Sequence, residues 1–177
     1  MNVCLWGPAV QSESARAASR AEARFRIDAP NSRRRAVKVI ALDSQSERIV
    51  ERLAQSSWAG AVFLTAAGGA PARGERFSIS GWLADLAGHT KNLVGEIDSA
   101  DHVVMIATAG EKLEAASIIG EACSLKQVMT TALVLSQAST GDAVLSQSLA
   151  QLRPWALMLV IASAEDYIAD MLAALRA

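Results

Sequence analysis

Ser99-Ala-Asp-His-Val-Val-Met-Ile-Ala-Thr-Ala-Gly110 decides the fold. It reads as a polar turn, a buried strand, and a small-residue turn that opens a helix. A short apolar run rich in β-branched residues and bounded by turn residues predicts a strand covered on both faces. A strand that feeds a helix through a small-residue corner is the repeating unit of a doubly wound α/β sheet. In such sheets these corners are where ligands bind.

The same unit recurs in both directions along the chain. Toward the C-terminus, Lys112 to Leu125 is a predicted helix with Leu113, Ala116, Ile119 and Ala122 facing inward. Val128 to Leu135 is a strand, and Gly141 to Leu152 a helix that must stop before Pro154. Ala156 to Ala162 is the last strand and Ala164 to Arg176 the closing helix. Toward the N-terminus, Val37 to Leu42 is a strand, followed by Asp43-Ser-Gln-Ser46, a turn rich in helix-capping side chains. Ser46 to Gln55 is a helix with Ile49, Val50 and Leu53 on one face, and Gly60 to Thr65 is the second strand. After the loop Ala66-Ala-Gly-Gly-Ala-Pro-Ala-Arg-Gly74, Ser80 is expected to cap one helix running to about Ile97, with Leu83, Leu86, Leu93, Val94 and Ile97 as its stripe. Strands alternating with helices select parallel βαβ units. The expectation is an α/β protein: a doubly wound, mostly parallel five-stranded sheet with helices on both faces, in three α/β/α layers. Residues 36–177 form one Rossmann-like domain.

Composition agrees with that architecture. The chain has 177 residues, long enough to bury a core, and 51% of them are hydrophobic, which excludes a disordered chain as a whole. Aromatics are only 5%, so the core is built from Ala, Val, Ile and Leu. Charge is unevenly spread. Residues 1–35 carry seven arginines against Glu13, Glu22 and Asp28, a net +4, while the remainder is −5. A basic arm on an acidic body is an interaction-tail pattern. The arm holds a helix-capable stretch, Ser12 to Ile27, and the cluster Arg33-Arg34-Arg35 without interleaved aromatics, so nucleic acid is not an expected partner. No run approaches the roughly 18 apolar residues of a membrane span, and the start lacks the pattern of a secretory signal. Cys4 and Cys123 make neither a disulfide framework nor a metal spacing, which points to a reducing, cytoplasmic setting.

Chemistry would sit at the carboxyl ends of the strands. Four corners qualify: Asp43 to Ser46, Gly68-Gly69 through Arg76, Thr108 to Lys112, and Ser136 to Asp142. Small residues there let backbone N–H groups approach an anion, and they also serve plain turn and capping roles. The candidate ligand contacts are Asp43, Ser44, Ser46, Gly68, Gly69, Arg73, Arg76, Thr108, Gly110 and Lys112. The dinucleotide Gly-x-Gly-x-x-Gly, the Walker-type phosphate loop and the hydrolase nucleophile elbow are all absent. His89, expected on a helix, and His102, opening a strand, are too far apart for a metal pair. Cys123 reads as a packed helical thiol, Glu165 and Asp166 as first-turn charges, and Trp58, Trp82 and Trp155 as packing anchors.

From Ala66 onward the order of pieces resembles the nucleotide-binding subdomain of the FtsZ/tubulin family. Ala66-Ala-Gly-Gly-Ala-Pro-Ala-Arg-Gly74 is similar to the family's Gly-Gly-Asn-Pro loop, and Ala100 to Gly110 to its following strand and turn. Lys126 to Leu135 and Leu152 to Ala162 are similar to the next two strands, and Val37 to Leu42 to the first. The resemblance covers roughly residues 36–175 and implies a Rossmann-type domain with a nucleotide at its strand ends. The departures fall on function. Asp43-Ser-Gln-Ser46 replaces the glycines after the first strand, and Glu111-Lys-Leu-Glu-Ala115 replaces the Gly-Gly-Gly-Thr-Gly-Thr-Gly phosphate cradle. Side chains would fill the space phosphates need, and Glu111 and Glu114 would repel them. Ala162-Ser163 replaces the family's Asn after the last strand.

The resulting expectation is a non-catalytic FtsZ/tubulin-like binding or protein-interaction module, with a protein partner or self-association and no predicted cofactor. The alternative is a small-molecule or nucleotide-binding enzyme that uses the same corners, with Lys112 as a point charge for a phosphate.

Overall fold

The structure is a computed structural model that describes residues 35–66, 80–136, 140–175 and 177. The arm, its expected helix and most of the loop after the second strand lie outside the described residues. So do the side chains at positions 80, 81, 82, 165 and 166.

The fold is α/β. Chain order is β1 (Val37–Ala41), α1 (Ser44–Ala54), β2 (Ala61–Thr65), β3 (Ser80–Asp85), β4 (Thr90–Asn92), α2 (Leu93–Asp98), β5 (His102–Thr108), α3 (Glu114–Lys126), β6 (Met129–Leu135), α4 (Asp142–Leu152), β7 (Met158–Ala162) and α5 (Glu165–Leu175). A 3-10 turn at Arg153–Trp155 joins α4 to β7. The sheet order is β4-β3-β2-β1-β5-β6-β7. The five strands β2, β1, β5, β6 and β7 are mutually parallel, in register from Val37↔Ala61 and Val37↔His102 across to Leu135↔Ala162.

β5 is the spine of the sheet. All seven of its residues are buried, as expected for a strand covered on both faces. Its side chains divide between two cores. Val103, Met105 and Ala107 join Ile40, Leu64 and Val134 beneath α2, α3 and α4. Val104 and Ile106 join Val39, Leu133 and the inner faces of α1 and α5, through Val50, Leu53, Ile168 and Leu172. Each fully buried Val, Ile or Leu contributes about 1.5–3 kcal/mol of transfer free energy, so these two clusters outweigh any single polar contact.

The sheet departs from the expected five-stranded, mostly parallel form: it has seven strands and is mixed. The difference lies where one helix was expected from Ser80 to about Ile97. That segment is instead the β3–β4 hairpin followed by the six-residue α2. β3 pairs antiparallel with β2 and with β4. Two features override the helical spacing of its leucines. Gly88 takes φ +80°, and Asp85 folds the turn around its own carboxylate, which accepts from the backbone N–H of Ala87 and His89 at 3.0 and 2.9 Å. Such side-chain–backbone bonds offer the chain an alternative to helix. The apparent stripe then divides: Leu83, Leu93 and Ile97 enter the core under α2, whereas Leu86 packs against the opposite cluster. His89 therefore sits in a hairpin turn, not on a helix, with its ring 3.2 Å from the Asp85 carboxylate.

Two local devices fix the rest. Lys38, the second residue of β1, sends its ammonium to Glu96 of α2 at 2.7 Å and ties the short helix to the sheet. Trp155 covers Gly120 of α3 so closely that an added Cβ would overlap the Trp155 side chain. Gly120→Val should therefore force α3 off the 3-10 turn. Overpacking of this kind costs about 1–3 kcal/mol, and the melting temperature should fall by several degrees relative to the parent chain. An unchanged melting curve would mean that Trp155 does not seat on α3.

Candidate functional site

The parallel strands reverse direction of travel across the sheet between β1 and β5. The chain moves outward from β1 to β2 and then returns to the other side of β1. In open α/β sheets the crevice at the carboxyl ends of such a pair is the ligand position. Here those ends carry Asp43 and Thr108, two of the residues singled out in the sequence.

Asp43 is the N-cap of α1 and only 6% exposed. One carboxylate oxygen accepts from the backbone N–H of Gln45 and Ser46 at 2.9 and 2.8 Å and from the Thr108 hydroxyl at 3.1 Å. The other accepts from the Thr108 backbone N–H at 2.8 Å. Ser46 completes a capping box: its hydroxyl accepts from the Asp43 N–H and donates to the Asp43 carbonyl. The carboxylate thus satisfies the first donors of α1 and holds the end of β5 beside it. It is engaged by four donors and acts as a lock between the two strands.

The next turn is closed in a similar way. Gly110 adopts φ +92°, a conformation that favours glycine, and a Cβ there would stand 3.0 Å from Val144 of α4. Its N–H donates to the Ser148 hydroxyl at 2.9 Å, and Ser148 donates in turn to the Val144 carbonyl. Across the corner, the Gln45 side-chain amide donates to the Glu111 carboxylate at 3.3 Å. The start of α3 has Leu113 at its N-cap, with no side-chain cap. Lys112 is exposed at this turn and does not line the cleft described below.

Beside this lock, toward α1 and β7, opens a cleft of about 630 Å³. Ser44, Gln45 and Thr108 form its inner end. Arg48 and Arg52, one turn apart on α1, form one wall. Ser136 after β6 and Ser163 after β7 face them, with Ile49, Leu135 and Ala162 as the apolar surface. Arg52 already makes an interaction of its own. The structure thus brings Ser44 and Thr108 to one cleft, places Asp43 and Ser46 beneath it, and leaves Gly110 and Lys112 outside it. Gly68, Gly69, Arg73 and Arg76 lie outside the described residues.

Sequence reading missed Arg48 and Arg52. Their signal is the spacing Ser44, Arg48, Arg52, which places all three on one face of α1 beside the buried stripe of Val50 and Leu53.

The remaining reactive side chains are structural. Burial pushes the Cys123 thiol up to about 12, which leaves no thiolate at neutral pH. His102 is 5% exposed, and its Nε2 lies 2.9 Å from the Thr131 hydroxyl. Its Nδ1 has no partner. Burial first, and the Arg35 charge second, hold this imidazole below its ordinary value of 6.5. Among the described residues no three His, Cys, Asp or Glu side chains cluster as a metal site. No helix among them is long and apolar enough to cross a membrane. Neither the models of known protein families nor the curated proteins contain a match to this chain.

Two stability predictions follow from these contacts. Asp43→Ala removes the α1 cap, worth about 1 kcal/mol, and strands the buried Thr108 N–H, worth about 1–3 kcal/mol. Urea unfolding should show a loss of about 2–4 kcal/mol, against about 1 kcal/mol for Thr108→Val, which keeps the backbone bond. Equal losses for the two variants would refute the lock. For His102, the unfolded chain takes up a proton near pH 6.5 while the folded chain resists until lower pH. Stability is therefore full above that pH and falls as the pH drops through it. The urea midpoint should decline between about pH 7.5 and 5.5, and His102→Gln should flatten that decline.

Proposed function

We propose that this chain is a non-catalytic binding module on an FtsZ/tubulin-like Rossmann frame, with a small anionic molecule as the ligand of its strand-end cleft. The observation that carries the reading is the division of labour at the switch point. The corner where a phosphate cradle would lie is taken up by the protein's own bonds, Asp43 to Thr108 and Gly110 to Ser148. The Glu111 carboxylate stands over it, held by Gln45. The open volume lies next door, where Arg48 offers a planar, permanently charged donor and Ser44, Ser136 and Ser163 offer hydroxyls.

The non-catalytic reading is supported by the character of the lining. The residues that line the cleft are Ser, Thr, Gln, Arg and apolar side chains, and the Asp43 carboxylate beneath them is held by four donors rather than poised as a base. The family likeness rests on the order of the five parallel strands and on the β5 corner. The β3–β4 hairpin stands where the Ser80 cap and the leucine spacing predict a helix. The enzyme alternative keeps the same cleft and would draw its proton-transfer group from beyond these lining side chains.

The test is thermal unfolding of the full chain with GTP, GDP, ATP, NAD, inorganic phosphate or no addition. A ligand at about 100 times its dissociation constant adds about 2.7 kcal/mol, a shift of several degrees for a domain of this size. The expected result is a shift with at least one of these anions, abolished by Arg48→Glu, and no release of phosphate from GTP. Reproducible GTP hydrolysis that Gly110→Arg abolishes would sink the non-catalytic reading. No shift with any of the probes would remove the anion from it.

A further inference from the structure

The two edges of the sheet are unlike. β4 is three residues long, Thr90–Asn92, polar throughout, with Lys91 at its centre. Short charged strands are how edges are kept from pairing with other chains. β7 carries no such guard. Met158-Leu-Val-Ile-Ala162 has neither charge, proline nor glycine. β6 pairs with one side of it, and among the described residues no strand pairs with the other. Met158 and Ile161 are 45% and 50% exposed, and the preceding Leu157 is 78% exposed. An edge with open backbone N–H and C=O groups is matched by another extended strand.

We infer that β7 pairs antiparallel with β7 of a second copy of this chain, about a two-fold axis at Val160, so that the sheet runs continuously through the dimer. Three observations select a second copy as the occupant. An uncharged strand meets itself with no like charges opposed, which a guarded edge such as β4 does not. The register is self-consistent: centring on Val160 sets Leu159 opposite the partner's Ile161 and Met158 opposite the partner's Ala162. Residues directly opposite in an antiparallel pair share a face. Leu159 and Ile161 do share one, standing beside Ala132 and Val134 on the α4 side.

The third observation is a groove of about 360 Å³ along that face, between α4 and β7. It is lined by Leu159 with Ser146, Leu149, Ala150 and Arg153. The partner's Ile161, placed beside Leu159 by the register, falls into this groove, and the symmetry repeats the contact on the other side. The large Met158 meets the small Ala162 on the opposite face. The pairing is isologous, so it closes at two copies and leaves, among the described strands, the two guarded β4 edges.

The test is the mass of the full chain in solution, by light scattering on a sizing column from micromolar concentration upward. The expected result is twice the chain mass for the parent and a single chain mass for Ile161→Lys, which changes an exposed side chain and leaves both cores untouched. A second variant reads the register directly. Val160→Cys, in a Cys4→Ser background, should form an intermolecular disulfide under mild oxidation, because cross-strand partners at the axis lie within disulfide reach. A parent chain that stays monomeric at every concentration overturns the proposal, whether β7 is then covered by residues 1–34 or by a different protein. A dimer that survives Ile161→Lys and gives no Val160→Cys cross-link overturns it as well, because the interface then lies elsewhere.

Discussion

The Asp43 carboxylate is the contact on which the arrangement of this molecule turns. Parallel strands have no hairpins to hold their ends together, so the carboxyl end of a doubly wound sheet must be organised by side chains and helix caps. Asp43 does both at once, capping α1 and binding the last residue of β5. β1 and β5 are the pair at which the chain changes direction across the sheet. The same four hydrogen bonds that make the corner rigid also use up the acceptors a ligand or a proton transfer would need. The open volume at this end of the sheet lies to the side, in the cleft bounded by α1 and the ends of β6 and β7.

Much of this was legible in the residues. The five parallel strands come from short apolar runs separated by turn signals, and a run such as His102 to Ala107 has few alternatives to a doubly covered strand. Asp43-Ser-Gln-Ser46 was readable as a capping turn, but not which of its side chains caps: the helix was expected from Ser46, and it starts at Ser44 with Asp43 as its cap. The hairpin was not readable by the same logic. Leu83, Leu86, Leu93 and Ile97 satisfy helical spacing, yet Gly88 and the Asp85 turn divide them between two faces of a sheet. Spacing counts apolar residues without knowing which core each will enter. Here the turn chemistry at Asp85 and Gly88 carried the better information.

The cleft was legible only in part. Its serines stand in strand-end turns that any βα fold would place together. Arg48 and Arg52 sit within a helix, where charge at four-residue spacing is the ordinary dress of a solvent face. Only the position of α1 over the strand ends converts that face into a wall. The same holds for His102: a histidine at the start of a strand gives no sign that both flanks are buried, and its depressed basicity is a property of the assembled core.

The β3–β4 hairpin is joined to the parallel strands by little. β2 and β3 share two register pairs, Leu64↔Asp85 and Thr65↔Ala84, where β5 and β6 share seven. α2, which follows the hairpin, has only six residues, too few to hold helix without outside contacts. Protein stability is not spread evenly, and segments with few cooperative contacts open on their own, below the free energy of global unfolding. Residues 80–98 make few backbone pairs with the parallel strands; Leu83, Leu93 and Ile97 hold them in the core, and the Lys38–Glu96 bond is their polar tether to β1. Each opening event would strip β2 of its outer neighbour while leaving the Asp43 corner intact, so this molecule can loosen at one border without disturbing its strand-end cleft.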